Sequence, residues 1–139
     1  MEYLDYMAAS WTRVLLCGCL MLEGASTALW ITSRLSMLAA YGGLTLALML
    51  ARGLMGALQL TTGSLLWRRA PAGEAIAPAV FLTSAALYTL ELGLRLRPSS
   101  VYPGARWILV GSYAGYAIAC AVLVRYGKPG TENRPPRRV

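Results

Sequence analysis

LSMLAAYGGLTLALMLARGLMGALQLTTGSLLW, residues 35–67, holds one charged side chain, Arg52, in 33 positions. Such a run has no place on a water-soluble surface, and its length exceeds the ~20 residues that cross a ~30 Å hydrocarbon core. As one straight helix at ~1.5 Å per residue it would reach roughly 50 Å, so its ends must protrude, tilt or bend. Gly42 and Gly43 are the expected bend, because consecutive glycines weaken a helix most. Arg68 and Arg69 then mark the far interface before the turn Ala70, Pro71, Ala72, Gly73.

Working outward, a second apolar run from Val14 to Ile31 is bracketed by Arg13 and Arg34. A third, Ala75 to Leu94, follows Glu74 and ends at Arg95 and Arg97, with Pro78 placed in its first turn where proline is tolerated. The fourth follows a turn-rich loop (Pro98 to Gly104) and Arg106 and Trp107, and runs to Val124 before Arg125 and Tyr126. The sequence thus predicts an all-α integral membrane protein, a four-transmembrane-helix bundle with short loops. The helices are expected near 12–33, 36–67, 74–96 and 105–126, in one membrane domain over 1–126 with a basic, Pro-rich tail over 127–139.

Composition agrees: 57% of residues are hydrophobic and 14% charged, against roughly 25% charged in soluble domains, and mean hydropathy is +0.52. The surplus comes from Leu, Ala and Gly, which suits helices packed in lipid better than barrel strands of alternating polarity. Although net charge is +7, the basic residues flank apolar runs or sit in the tail, and no aromatic-interleaved basic patch points to nucleic acid. Glu2 and Asp5 precede the first apolar run where a secretory signal would carry positive charge.

Orientation follows from the Lys and Arg distribution. Arg13, Arg68, Arg69, Arg125, Lys128, Arg134, Arg137 and Arg138 fall on one side, and Arg34, Arg95, Arg97 and Arg106 on the other. Eight against four puts both termini in the cytoplasm, with a bacterial-type inner (plasma) membrane as the expected location. Trp11, Trp30, Trp67, Trp107, Tyr102 and Tyr126 lie near the expected helix ends, as interfacial aromatic belts do.

Two ionisable residues fall at mid-membrane. Glu23 is centred between Arg13 and Arg34, Arg52 between Arg34 and Arg68, and an antiparallel hairpin would set them at equal depth as partners. An arginine at that depth costs ~2.5–3.5 kcal/mol on insertion scales, so it needs an acid, water or another subunit. Thr45, Met49, Gly56, Gln59 and Gly63 recur around Arg52 at helical spacing. Cys19, Glu23, Thr27 and Trp30 form a comparable stripe on the first helix, and Ser112, Tyr116 and Cys120 on the fourth. Glu91, one turn from Arg95, reads as ordinary helix surface, and Tyr88 as a residue that could extend a polar track inward. Gly53 with Gly56, and Gly111 with Gly115, fit small-xxx-small helix packing.

No histidine is present, which removes the commonest metal ligand, the usual haem ligand and the default neutral-pH acid/base. Cys17 and Cys19 point to nearly opposite helix faces and cannot chelate together, and neither metal nor cofactor is expected. The cysteines read as small apolar packers.

These features favour a non-catalytic accessory or scaffold subunit of a larger membrane complex, in which Glu23 and Arg52 fix packing. The expected partners are the bilayer, other membrane subunits or further copies of the chain, and anionic headgroups touched by Lys128, Arg134, Arg137 and Arg138. The alternative is a small homo-oligomeric transporter or channel with Glu23 as its coupling carboxylate. A membrane-embedded glutamate on the first of four helices is similar to the small multidrug resistance exporters. Arg52 and the long basic ends depart from that pattern, and the likeness stops there. A membrane enzyme acting on a lipid or isoprenoid through Glu23, Arg52, Tyr88 and Tyr116 ranks third, because no nucleophile or phosphate-binding motif accompanies them.

Overall fold

The computed structural model describes residues 2–40, 42–94 and 103–126. Among them it holds four α-helices: α1 (Glu2–Thr32), α2 (Gly43–Trp67), α3 (Pro71–Gly93) and α4 (Pro103–Tyr126), with a 3-10 helix at Leu35–Ala40 between α1 and α2. Three helical stretches are long and apolar enough to cross a membrane: Ser10–Thr32, Gly43–Trp67 and Pro71–Gly93. The apolar part of α4, Trp107–Leu123, is shorter.

The long run at 35–67 divides at its glycines. Gly42 is extended (φ −63°, ψ 159°) and caps α2, while Leu35–Ala40 tighten into the 3-10 turn. α1 closes on its own hydroxyls, Thr32 Oγ1 donating to the Ala28 carbonyl (2.7 Å) and Ser33 Oγ to that of Trp30 (2.8 Å). These bonds satisfy groups that lipid cannot. α1 starts at Glu2, well before residue 12, so about a quarter of this helix lies ahead of the apolar stretch that begins at Ser10.

The α2–α3 connection is a Schellman turn. The Ala70 amide donates back to the Leu65 carbonyl (2.9 Å) and the Arg69 amide to that of Leu66 (3.1 Å), with Arg69 at φ 55° in the left-handed region. The next helix leaves so close to the last that a Cβ on Gly73 would stand 2.8 Å from the Leu65 and Leu66 backbone. α3 therefore begins at Pro71, which occupies the first helical turn. This corrects the expected position of Pro78. It lies inside α3, where its missing N–H leaves the Glu74 carbonyl without its ladder partner.

α1 packs along α2, α2 along α3 and α3 along α4, with a narrow contact between α1 and α4 closing the set. Glycine governs the first interface. A Cβ on Gly24 would meet Leu60 Cγ at 2.6 Å and the Gly56 carbonyl at 2.8 Å, and one on Gly63 would meet Met21 Cγ at 2.7 Å. The α1 and α2 backbones thus touch, as small-residue packing in lipid allows. Leu16, Leu20, Leu66, Phe81 and Ala117 are buried in the core, whereas Leu22, Leu54 and Ile108 are each at least 70% exposed. So apolar an exterior requires lipid as its solvent.

Candidate functional site

Helical spacing brings the polar residues to one locus. Arg52 projects from α2 between α1 and α3, and its Nη1 donates to Glu91 Oε2 at 3.0 Å, with Oε1 at 3.4 Å. Its Nη2 donates to the Tyr88 hydroxyl at 2.8 Å, and that hydroxyl donates in turn to Glu23 Oε1. The guanidinium lies 5.3 Å from the Trp30 ring centroid and 5.0 Å from that of Tyr88, close enough for cation–π attraction. Arg34 sits over the same Trp30 ring at 4.8 Å. α4 adds Tyr113, buried, stacked on Tyr88 at 5.4 Å and set beside Glu23. One network thereby joins all four helices.

Arg52 and Glu23 are connected through Tyr88 rather than directly bonded, which changes the expected partnership. Nor do their backbones share the expected depth: Gly53, next to Arg52, faces Ile31, whereas Gly24, next to Glu23, faces Gly56 and Leu60, so Arg52 stands nearer the Gly43 end of α2, beside Trp30 and Glu91. Glu91 is also corrected: it is 6% exposed and carries the ion pair with Arg52. Arg95, its expected surface partner, lies outside the described residues, as does the tail with Lys128, Arg134, Arg137 and Arg138.

Deeper in the bundle Gln59 Nε2 donates to Ser84 Oγ at 3.0 Å, and Ser84 Oγ donates to the Val80 carbonyl at 2.8 Å, a second polar tie between α2 and α3. Gly56 abuts Thr27, a Cβ there falling 3.0 Å from Thr27 Cγ2, and one on Gly53 would be 3.1 Å from Ile31 Cδ1. On α4 the inward face is Tyr113, Ala117 and Cys120, one residue removed from the expected stripe in its upper part. Ser112 is exposed, and Tyr116 is half-buried against Cys19 and Phe81. Gly111 and Gly115 face outward with nothing within 4 Å of an added Cβ, so they pack no helix of this chain. Tyr113 and Gly24 were not singled out by sequence. The i, i+4, i+7 spacing of Tyr113, Ala117 and Cys120 was the available signal for the first.

Among the described residues, every buried side-chain nitrogen and oxygen has a hydrogen-bond partner. The void beside Arg52, lined by Thr27, Gln59, Ser84, Tyr88 and Glu91, measures about 10 Å³. That is room for about one water molecule. No group of three or more His, Cys, Asp or Glu side chains among the described residues could hold a metal ion. Chemically the arrangement can hold charge in a low-dielectric interior and fix four helices in register.

The chain is thus an all-helical protein of membrane-spanning type, organised around an interior ion pair. No known family matches it, and no curated protein or solved structure is significantly similar to it.

Proposed function

We propose that this protein is a non-catalytic accessory or scaffold subunit of a larger membrane complex: a four-span bundle with both termini in the cytoplasm, held in a bacterial-type inner membrane. The observation that carries the reading is the closed charge network. Arg52, Glu91, Tyr88 and Glu23 satisfy one another around a void of about 10 Å³, too small for a lipid or isoprenoid substrate or for a hydrated ion. A network of this kind rigidifies a bundle and leaves its outside for docking. The outward face of α4 suits that role, since Gly111 and Gly115 are open to the close approach of a partner's transmembrane helix. Purification from the native membrane in mild detergent tests the reading. The chain is expected to co-migrate with other membrane proteins at a mass well above its own 15.0 kDa. Recovery as a lone species would overturn it.

Glu23 favours a second reading. It is only half-buried although it belongs to the network, and a half-buried carboxylate at this depth is what a coupling group in a homo-oligomeric transporter requires. Reconstituted liposomes carrying wild type and Glu23→Gln decide the point: transport that survives the substitution unchanged removes Glu23 as coupling group.

A further inference from the structure

A second cavity lies away from the charge network, at the end of the bundle where α1 passes the α2–α3 turn. It measures about 190 Å³ and is lined by Ser10, Arg13, Val14, Cys17, Leu66, Trp67 and Arg69. Its lining divides by polarity. Ser10, Arg13 and Arg69 supply a hydroxyl and two guanidinium groups, while Val14, Leu66 and Trp67 supply apolar walls.

Its charge is unbalanced in one direction. Arg13 Nη2 pairs with Glu74 Oε1 at 2.6 Å, whereas Arg69 makes no side-chain hydrogen bond or ion pair among the described residues. Among the described residues the site therefore carries about one net positive charge. Arg69 also occupies the left-handed C′ position of the Schellman turn, at φ 55°. Glycine takes that conformation without strain and an L-residue does not. An arginine here places a cation at the mouth of the cavity against the local backbone preference.

Arg13, Trp67 and Arg69 all sit where the apolar stretches Ser10–Thr32 and Gly43–Trp67 begin or end, which is headgroup depth. A free phosphate would use the guanidinium groups alone. A phospholipid would use both halves, its phosphodiester against Arg69 and Arg13 and its glycerol and first acyl carbons along Val14, Leu66 and Trp67. We infer that this cavity binds the phosphate of one anionic phospholipid, with Arg69 as the principal cation. The inference stands whether or not the chain has protein partners.

Native mass spectrometry of the full chain in detergent, titrated with dioleoyl phosphatidylglycerol, dioleoyl phosphatidylcholine or inorganic phosphate, tests this site. One phosphatidylglycerol per chain is expected, with phosphatidylcholine about tenfold weaker or worse and inorganic phosphate unable to displace the bound lipid. Arg69→Gly should weaken phosphatidylglycerol about tenfold, the scale of one charge-assisted hydrogen bond. Because glycine fits the turn, this variant should unfold in lipid-free detergent at no lower a temperature than wild type. Arg68→Ala removes an exposed neighbouring cation that does not line the cavity, and should leave affinity within about twofold. Equal losses in Arg69→Gly and Arg68→Ala would mean diffuse surface charge and overturn the site. So would equal binding of the two lipids, and displacement by inorganic phosphate would overturn the lipid as ligand.

Discussion

Arg52 has two carboxylates in reach and bonds only one of them, so the two acids should differ when tested. Truncating one partner of a buried ion pair typically costs ~3–5 kcal/mol, because the survivor is left charged in a medium that cannot solvate it. Arg52→Leu strands Glu91, which is 6% exposed, and should lower detergent-phase unfolding stability by that order. Arg52→Leu with Glu91→Leu should recover much of the loss. In a double-mutant cycle the Arg52–Glu91 coupling should exceed ~1 kcal/mol. The Arg52–Glu23 coupling should be smaller, and should vanish in a Tyr88→Phe background, since the Tyr88 hydroxyl is the link between them. Equal couplings, unaffected by Tyr88→Phe, would mean that Arg52 bonds Glu23 directly. The sequence made Glu23, Arg52 and Tyr88 conspicuous because ionisable groups in apolar runs are costly. It hid the pairing because Arg52 was centred on the whole run 35–67, whereas α2 begins only at Gly43, which leaves Arg52 nearer that end, level with Ile31 and Trp30 and within reach of Glu91.

Helices were more legible than their faces. Apolar length bounded by arginines located the spans, and Gly42–Gly43 located the break before α2, because these signals are one-dimensional and energetically large. Which side of α4 turns inward depends on a rotation that one residue alters by about 100°, and the expected stripe through Ser112 missed Tyr113 for that reason. The four glycines first assigned to packing divide likewise. Gly53 and Gly56 press on α1 side chains, while Gly111 and Gly115 face open space. Gly56→Leu should therefore force α1 and α2 apart and lower the unfolding temperature of the isolated chain, at a cost of ~1–3 kcal/mol or more. Gly111→Leu and Gly115→Leu should leave that temperature unchanged yet abolish co-purification with the proposed membrane partner. If Gly111→Leu destabilised the isolated chain as much as Gly56→Leu does, α4 would pack within the molecule by the opposite face.

At the scale of the whole molecule, the proposed topology turns on α4 crossing the bilayer. Its apolar part, Trp107–Leu123, would be about 25 Å long at ~1.5 Å per residue, short of a ~30 Å core. By length and composition, three helices qualify as spans. Packing supplies a stronger argument. Midway along α4, Tyr113 meets Tyr88 and Glu23; toward its C-terminal end, Cys120 and Leu123 line a void with Arg13 and Glu74. Arg13 and Glu74 lie at the end of the bundle that holds the α2–α3 turn, so α4 runs antiparallel to α3 along the depth of the core. The proposed topology then sets Tyr126 on the same side as Ala70, and takes that side as cytoplasmic from its excess of Lys and Arg. Cysteines introduced singly at Gly42, Ala70 and Tyr126 of a variant with Cys17, Cys19 and Cys120 replaced by Ala test this. In intact cells a membrane-impermeant maleimide should label position 42 and spare 70 and 126, and lysis should expose both. Labelling of 126 together with 42 would leave α4 on the outer side. That result would reduce the protein to three spans, and Tyr113 could not then reach Glu23 as the fold requires.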